Sequence, residues 1–377
     1  MKRIWFCFSF MSMMIATVAQ QSTITVTNSL PVQRQEVIEI PWQQINQAYP
    51  LLDTANFKII NKVTKKELEY QLQYRGEKQI KNLLISLTVP SNGKVELQLV
   101  KGKHKSFSAK TYCRYVPERK DDFAWENDRI AFRMYGTALE NFPKEMAYGV
   151  DVWVKKTDRL ILNERYKQGE YHIDHGDGLD YYHVGLTLGA GGIAPYLHDT
   201  IWHSKNYRKW EVLDNGPLRT SFRLDYDEWN AAGQKVNVVK TISLDAGSQL
   251  SKVEVSYSFE ATKALPVVIG IIKRKETGTE WFDENNGIMG YWEPADSSFG
   301  TTGVGCVFTQ PVQQMMMSKE HLLTITSAKQ NEAFVYYNGA AWDKAGLITS
   351  SKNWFNYLDT FKQRINQPLK ISISKIR

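Results

Sequence analysis

The clearest regular pattern in the chain is an alternation of apolar and polar residues between positions 218 and 259. Every second position in 218–226 is apolar or threonine, and similar runs are formed by Val236, Val238, Ile242 and Leu244 and by alternate residues of 253–259. Short turn sequences at 231–233 and 245–247 separate these runs. A period of two is that of a β-strand with one buried face, so the pattern predicts a three-stranded antiparallel meander.

A second group of strand-like runs precedes residue 115. Apolar runs at 83–89 and 95–99 flank Asn92-Gly93, and an Asn-Gly pair in this setting predicts a β-hairpin. The charged segment 116–122 (VPERKDD) indicates a boundary, so we predict a small N-terminal β-sandwich at 20–115 and a larger β-domain at 116–377. One helix is predicted at 353–364; Pro368 ends it before a last strand at 369–373.

The first 19 residues have the pattern of a secretory signal peptide. Lys2 and Arg3 precede an apolar stretch at 4–18, which closes with small residues at 17–19. The stretch is too short and too interrupted for a membrane span, and no later segment is long and apolar enough for one. We therefore expect export to the periplasm or cell surface, with no membrane span after signal removal.

Composition and charge restrict the classes of partner. The chain has 42% hydrophobic and 12% aromatic residues and a formal net charge of +7, with no dense tract of lysine and arginine. These features do not favour nucleic acid as a partner, whereas an exported basic protein suits an acidic polysaccharide. Cys113 and Cys306 follow the signal segment; two cysteines exclude a dense disulfide framework but leave open whether they pair.

Five of the seven histidines lie in one glycine-rich window, residues 171–204. His172 and His175 are three residues apart, but the neighbouring glycines disfavour the helix that would bring them to one face. The aspartates at 174, 177 and 180 do not have the spacing of a calcium loop. No cofactor is predicted with certainty, and a divalent cation, calcium or zinc, stays an option.

The same window also suits acid–base chemistry without a metal. The candidate catalytic residues are His172, His175, His183, Tyr181 and Tyr182. Arg129 and Arg133 are candidate partners for a substrate carboxylate. The alternatives are hydrolysis by paired carboxylates from this window or from 280–293, and a purely structural role, since Asp beside Gly is ordinary turn chemistry.

Aromatic residues beside carboxylates form two further clusters, at 278–294 and 336–355. A flat ring can cover the apolar face of a sugar while polar groups bind its hydroxyls. We therefore predict that Trp292, Glu293 and Trp342 contribute to substrate binding, although core packing is the simpler role for any single tryptophan.

Three segments together resemble an uncharacterised family of exported bacterial proteins from polysaccharide-utilisation loci. They are WENDRIAFRMYG (125–136), YHIDHGDGLDYYHVGLTLGAGG (171–192) and YYNGAAWDKAG (336–346). Members of that family accompany pectin-degrading enzymes, and some are fused to hydrolases of unsaturated uronyl residues. The resemblance implies an acidic plant oligosaccharide as partner and a large β-sandwich of the type found in sugar mutarotases.

Together, these features predict an all-β protein with few helices, in which an antiparallel, galactose-mutarotase-like β-supersandwich follows the N-terminal β-sandwich. The expected function is cleavage of uronic-acid-containing, pectin-like oligosaccharides. β-Elimination is favoured because the window is rich in histidine and tyrosine and the chain is basic. Glycoside hydrolysis by paired carboxylates, a non-catalytic carbohydrate-binding role and a mutarotase-like activity are the alternatives.

Overall fold

The computed structural model describes residues 22–260 and 264–374, so the predicted signal peptide at 1–19 lies outside the described residues. Strands dominate this part of the chain, with three α-helices, in agreement with the all-β prediction. The helices are α1 (Trp42–Ala48), α2 (Leu162–Gln168) and α3 (Ser351–Asn366). Single 3-10 turns are formed by Pro117–Arg119, Thr137–Asn141 and Asp343–Ala345.

The strands are numbered in chain order. The first seven are β1 (Thr23–Thr27), β2 (Arg34–Pro41), β3 (Phe57–Asn61), β4 (Glu67–Leu68), β5 (Tyr70–Gln73), β6 (Asn82–Val89) and β7 (Lys94–Lys101). The next ten are β8 (Thr111–Val116), β9 (Asp122–Asn127), β10 (Ile130–Met134), β11 (Asp151–Lys155), β12 (Gly178–Asp180), β13 (Ala190–Leu197), β14 (Thr200–Ile201), β15 (Lys209–Asn215), β16 (Arg219–Asp225) and β17 (Trp229–Ala231). The last ten are β18 (Gln234–Asp245), β19 (Leu250–Phe259), β20 (Ala264–Ile272), β21 (Thr279–Asp283), β22 (Ile288–Trp292), β23 (Thr302–Phe308), β24 (Gln314–Met317), β25 (His321–Lys329), β26 (Ala333–Trp342) and β27 (Lys370–Ser374).

The N-terminal region is a sandwich of two sheets around its own apolar core. Sheet A has the strand order β27-β1-β7-β3-β4, and sheet B has the order β2-β6-β5. Alternate residues of both sheets point inward, as period-two strands require, and form one cluster. Its centre includes Ile24, Val26, Ile40, Leu83, Ile85 and Leu97.

The turn at Asn92-Gly93 corrects a sequence prediction. Asn92 has a φ of +47°, as a tight turn requires, but β6 and β7 do not pair with each other. β6 pairs with β2 and β5 in sheet B, whereas β7 pairs with β1 and β3 in sheet A. The predicted hairpin is therefore wrong. The chain does turn at Asn92-Gly93, but it passes from sheet B to sheet A there instead of pairing the two strands that flank the turn.

The strands β8 to β26 form three further sheets. Sheet C has the order β12-β11-β10-β9-β8, and sheet D has the order β14-β13-β20-β25-β24. Sheet E is the largest, with the order β15-β16-β18-β19-β26-β23-β22-β21 and β17 paired to β18. Its β16, β18 and β19 form the predicted antiparallel meander. One apolar cluster joins all three sheets, with members such as Phe132, Phe222, Val255 and Ile269.

The domain boundary predicted at residue 115 stays a prediction, although two strands bear on it. β8 begins at Thr111 and pairs with β9 in sheet C, so this strand before the boundary belongs to the large domain's sheets. β27, near the other end of the chain, pairs with β1 in sheet A. Cys113 and Cys306 are both free and buried.

Helix α3 covers the outer surface of sheet E. Ser350 caps its first turn by accepting a hydrogen bond from the backbone N–H of Asn353, and the helix encloses the predicted range 353–364. Trp354 is fully buried under the helix and donates its indole N–H to the carbonyl of Val304 at 3.0 Å. None of the helices in 22–260 and 264–374 has the length and apolar character needed to cross a membrane.

Candidate functional site

A cleft of about 770 Å³ opens where three strands of the large domain end. The chain leaving β12 supplies Tyr181 and His183, the chain leaving β20 supplies Arg274, and the chain leaving β22 supplies Glu293. The remaining lining residues are His172, Asp180, Glu276, Pro294, Ala295, Asp296, Ser297, Phe299 and Gly300. Strand ends place side chains precisely while leaving them accessible, which is how binding sites are commonly built.

Arg274 is the cation of this cleft. Its Nε donates to Oε1 of Glu293 at 2.6 Å, and its Nη1 donates to the backbone carbonyl of His183 at 2.8 Å. The guanidinium also lies over the ring of Tyr182, 4.4 Å from the centroid. These contacts hold the charge in one place, and a planar guanidinium is well suited to binding a carboxylate.

Glu293 is buried beside this arginine. Burial raises the pKa of the Glu293 carboxyl to about 7, and the positive charge and hydrogen bond of Arg274 counteract only part of that effect. A carboxyl group that titrates near neutral pH can give or take a proton under working conditions.

Tyr181 stands on another wall of the cleft. Its hydroxyl hydrogen-bonds with that of Thr302, and its ring stacks on Phe299 with the centroids 5.1 Å apart. Burial raises the pKa of Tyr181 above its ordinary value, so the phenol keeps its proton at neutral pH. A protonated, half-buried phenol can act as a general acid.

Asp180 and His172 form an adjoining pair. Asp180 is buried and accepts a hydrogen bond from Arg133 Nη2 at 2.7 Å. Burial, with a further contribution from the nearby Asp151, raises the pKa of Asp180 to about 8 against the effect of Arg133. His172 Nδ1 lies 2.7 Å from the backbone oxygen of Asp180 and 3.7 Å from its carboxylate. The imidazole is 64% exposed, so the ring is anchored at one nitrogen and open to the cleft.

Several predicted site residues lie elsewhere. His175 contacts Glu170 at 3.3 Å in the loop before β12, and Tyr182 is buried beneath Arg274. Neither side chain lines the cleft. Tyr182 can therefore position the guanidinium but cannot touch a ligand, because its ring faces the protein interior.

The two arginines predicted to bind a substrate carboxylate also differ from that expectation. Arg133 is buried among Asp122, Asp151 and Asp180, so its charge is already neutralised within the protein. Arg129 is 37% exposed in the turn between β9 and β10 and is absent from the cleft lining. Arg274, rather than Arg129 or Arg133, is the arginine that lines the cleft.

The two predicted sugar-stacking tryptophans serve the core. Trp342 is buried and donates its indole N–H to the carbonyl of Phe299 at 2.7 Å, so neither face of its ring is free for a sugar. Trp292 is partly buried and packs in the apolar cluster beneath α3. Trp292 directly precedes Glu293, and Trp342 holds the backbone at Phe299, so both support the cleft without lining it.

Sequence reasoning missed Arg274 and Phe299. The available signal for Arg274 was its position: three basic residues, 273–275, directly follow the nine-residue apolar strand β20. Charges at the end of a buried strand often face a site. Phe299 stands in a loop of polar and small residues, and nothing in its local pattern distinguishes it.

The described residues contain no cluster of side chains suited to binding a metal ion. Within residues 22–260 and 264–374, no group of three or more histidine, cysteine, aspartate or glutamate side chains is arranged to hold a metal ion. The clustered Asp122, Asp151 and Asp180 instead surround the guanidinium of Arg133.

Two solved structures from Enterococcus faecalis resemble the fold. One is described as an α-mannosidase (TM-score 0.51, 8% identity, 95% of this chain and 46% of that chain). The other is described as a protein in glycosyl hydrolase family 38 (TM-score 0.52, 9% identity, 94% of this chain and 47% of that chain). This chain spans about half the length of each, and at such low identity the likeness concerns the fold alone.

Sequence comparison gives a closer relationship. The chain is 31% identical to uncharacterized protein P7 of Formosa agariphila, over 94% of both proteins. A family model matches residues 26–371, almost all of the chain that the structure describes. The predicted resemblance to an uncharacterised family is thereby confirmed. The chain belongs to the family described as domain of unknown function (DUF4861).

Proposed function

We propose that the protein is an exported carbohydrate-active enzyme that cleaves uronate-containing, pectin-like oligosaccharides by β-elimination in the cleft. The observation that carries this proposal is the Arg274–Glu293 pair, a fixed cation and a carboxyl of raised pKa, beside Tyr181. The described activities of the two Enterococcus faecalis proteins with this fold support a sugar as the ligand.

β-Elimination from a uronide begins with the removal of the proton on the carbon next to the carboxylate. The electron pair of that C–H bond forms a carbon–carbon double bond, the bond to the glycosidic oxygen breaks, and that oxygen takes up a proton. Negative charge accumulates on the carboxylate meanwhile. Arg274 would bind this carboxylate, and the protonated form of Glu293 would donate it a hydrogen bond.

The two proton transfers need separate groups. Among the predicted histidines, His172 and His183 line the cleft, and a neutral imidazole of either could take the proton from carbon. Tyr181, which keeps its proton at neutral pH, would supply one to the leaving oxygen. This assignment retains three of the five predicted catalytic residues.

Hydrolysis is the second candidate, because two buried carboxyl groups of raised pKa, Asp180 and Glu293, line the same cleft. A glycosidase of the usual kind needs one protonated and one ionised carboxyl. Asp180, however, already accepts a hydrogen bond from Arg133, and Glu293 from Arg274, so neither is free of a structural partner.

Incubation with defined pectic oligosaccharides separates these functions. β-Elimination produces an unsaturated uronide that absorbs ultraviolet light, whereas hydrolysis releases reducing ends without that absorbance. Binding without either product would indicate a non-catalytic module, and faster anomer equilibration without cleavage a mutarotase. Absence of the unsaturated product across the oligosaccharide panel would overturn the proposed reaction.

Export is proposed from the sequence of residues 1–19. Expression in a Gram-negative host tests it: the mature N-terminus is determined by sequencing protein from the periplasm and from the cell surface. Recovery of the chain only in the cytoplasm, with residues 1–19 intact, would contradict this part of the proposal.

A further inference from the structure

A small pocket lies where sheets C, D and E meet. Its volume is about 10 Å³, room for a single water-sized atom. Met134 and Val150 border it from the side of sheet C, Gly192 and Ala194 from sheet D, and Lys240 from β18 of sheet E. Tyr148, His203 and Ser204, which are half-buried, complete the polar part of its wall.

Lys240 is unusual because its side chain points into the core. It is 5% exposed and shares the inward face of β18 with Val238 and Ile242. Its Nζ lies 4.5 Å from the ring centroid of Tyr226. Among the residues that the structure describes, this nitrogen has neither an ion pair nor a hydrogen bond, and burial is the one influence on its ionisation.

The groups near Lys240 are imidazoles rather than carboxylates. His203 borders the same pocket, and the Nε2 of His321 accepts a hydrogen bond from the backbone N–H of Leu188 at 3.1 Å. Burial, with smaller contributions from the charges of His321 and Lys240, lowers the pKa of His203 to about 4. Burial lowers the pKa of Lys240 to about 8, so an ammonium ion still predominates at neutral pH.

An ammonium ion that is buried without a counter-charge destabilises the folded protein. We propose that the pocket binds a small monovalent inorganic anion of about the size of chloride, which neutralises Lys240 at the junction of the three sheets. Ser204 and Tyr148 border the pocket, and hydroxyl groups of both kinds are able to donate a hydrogen bond to an anion. The volume excludes sulfate, phosphate and sugars, and among common anions only a monatomic halide, slightly larger than a water molecule, approaches so small a size.

The stability of the protein tests this site independently of any enzymatic activity. Thermal unfolding is measured in sodium chloride, in sodium bromide and in sodium methanesulfonate of equal ionic strength. Because the ion binds only the folded state, either halide at about ten times its dissociation constant should raise the Tm of the wild type by on the order of 2 °C.

Lys240→Met removes the charge while keeping the length of the side chain, so the Tm of this variant should not respond to halide. Lys252→Met is the matched control: Lys252 lies on the neighbouring strand β19 and pairs with Glu254 at 3.1 Å, outside the pocket. The control should respond as the wild type does. An equal halide response in Lys240→Met and the wild type, or none in the wild type, would overturn the proposal.

Crystals of the wild type grown in bromide give a second test, which does not depend on the folding of any variant. An anomalous scattering peak next to Lys240 Nζ is the expected result. Solvent density at this position without anomalous signal would mean that the pocket holds only a water molecule, and the proposed anion site would be withdrawn.

Discussion

Arg274 and Glu293 show how burial and charge together set the chemistry of single side chains. Glu293 is removed from water, which favours its protonated form, while Arg274 at 2.6 Å favours the ionised form. Burial dominates, and the pKa of the carboxyl settles near neutrality at about 7. The arginine is in turn fixed by Tyr182 and by the carbonyl of His183. The site therefore offers a preorganised cation and a carboxyl that changes its protonation in the physiological range.

Replacing Arg274 tests its proposed role in binding the substrate carboxylate. Arg274→Ala should lower kcat/KM for uronate cleavage by about 10²–10³-fold, since one preorganised charge-stabilising group is lost. Arg129→Ala is the control, because Arg129 is a surface arginine outside the cleft and should leave kcat/KM within about twofold of the wild type. Steady-state kinetics on one pectic oligosaccharide measure both; a reversed order of effects would contradict the assignment.

The raised pKa of Glu293 also predicts how stability depends on pH. Its usual value of 4.5 applies to the unfolded chain and about 7 to the folded protein, so the folded state binds more protons between these values. The stability contributed by Glu293 is complete below about pH 4.5 and is lost as pH rises through about 7. Glu293→Gln should therefore flatten the fall in unfolding free energy between pH 5 and 8.

Denaturant titrations at several pH values measure this slope. Some of it should persist in the variant, because burial raises the pKa values of Asp122 and Asp180 in the same direction. Glu276→Gln is a suitable control, because Glu276 is an exposed carboxyl that also lines the cleft. An unchanged slope in Glu293→Gln would show that this carboxyl is ionised throughout the range.

At the scale of secondary-structure elements, the packing of α3 depends on small residues in its partner strands. Gly290 on β22 and Gly303 and Gly305 on β23 lie beneath the helix, where a Cβ would meet side chains of α3 or of Trp292. A Cβ on Gly305 would stand 2.6 Å from Cδ1 of Leu358 and 3.1 Å from Cζ2 of Trp354. The close approach of helix and sheet thus requires glycine here for space.

Gly305→Ala should destabilise the protein by about 1–3 kcal/mol through overpacking. Leu358→Ala alone should cost about 2–5 kcal/mol, because it leaves a cavity at a fully buried position. Combined, the two changes should cost less than their sum, since the shortened side chain makes room for the new methyl group. Chemical denaturation of the four proteins in this cycle measures the coupling; strict additivity would contradict the proposed contact.

Across the entire fold, the two ends of the described chain meet in sheet A. β27 pairs with β1 over five residues, and its Ile371 and Ile373 pack against the N-terminal core. Arg34 on β2 further donates to the carbonyl of Gln367 at 2.6 Å, just after α3. The N-terminal sandwich is therefore completed by a strand that follows sheets C, D and E in the chain.

Charged residues at the core-facing positions of β27 should disrupt its packing against the N-terminal core. Ile371→Asp combined with Ile373→Asp should cost at least about 3 kcal/mol, from lost apolar burial and unpaired buried charge. Ser372→Asp, on the exposed face of the same strand, should stay within about 0.5 kcal/mol of the wild type. Limited proteolysis and thermal unfolding measure both; similar behaviour of the two variants would contradict the role given to β27.

Local sequence pattern predicted the meander β16, β18 and β19 of sheet E, the helix α3 and the all-β class, because such patterns act over a few residues. It also placed His172, His183, Tyr181 and Glu293 among the site candidates, and all four line one cleft. It assigned Arg133 to ligand binding, because the sequence does not show whether an arginine is buried or exposed. Only the tertiary structure shows that three carboxylates surround Arg133.

The amino-acid sequence alone indicated where several strands and turns lie and where titratable side chains cluster, since these properties depend on neighbouring residues. The tertiary structure decided which strands pair and which strand ends meet, as the crossing at Asn92-Gly93 and the pairing of β27 with β1 illustrate. It also brought Arg274, some ninety residues beyond Tyr181 and His183, into their cleft. Such long-range contacts depend on how the faces of all the sheets bury one another, and no local pattern specifies them.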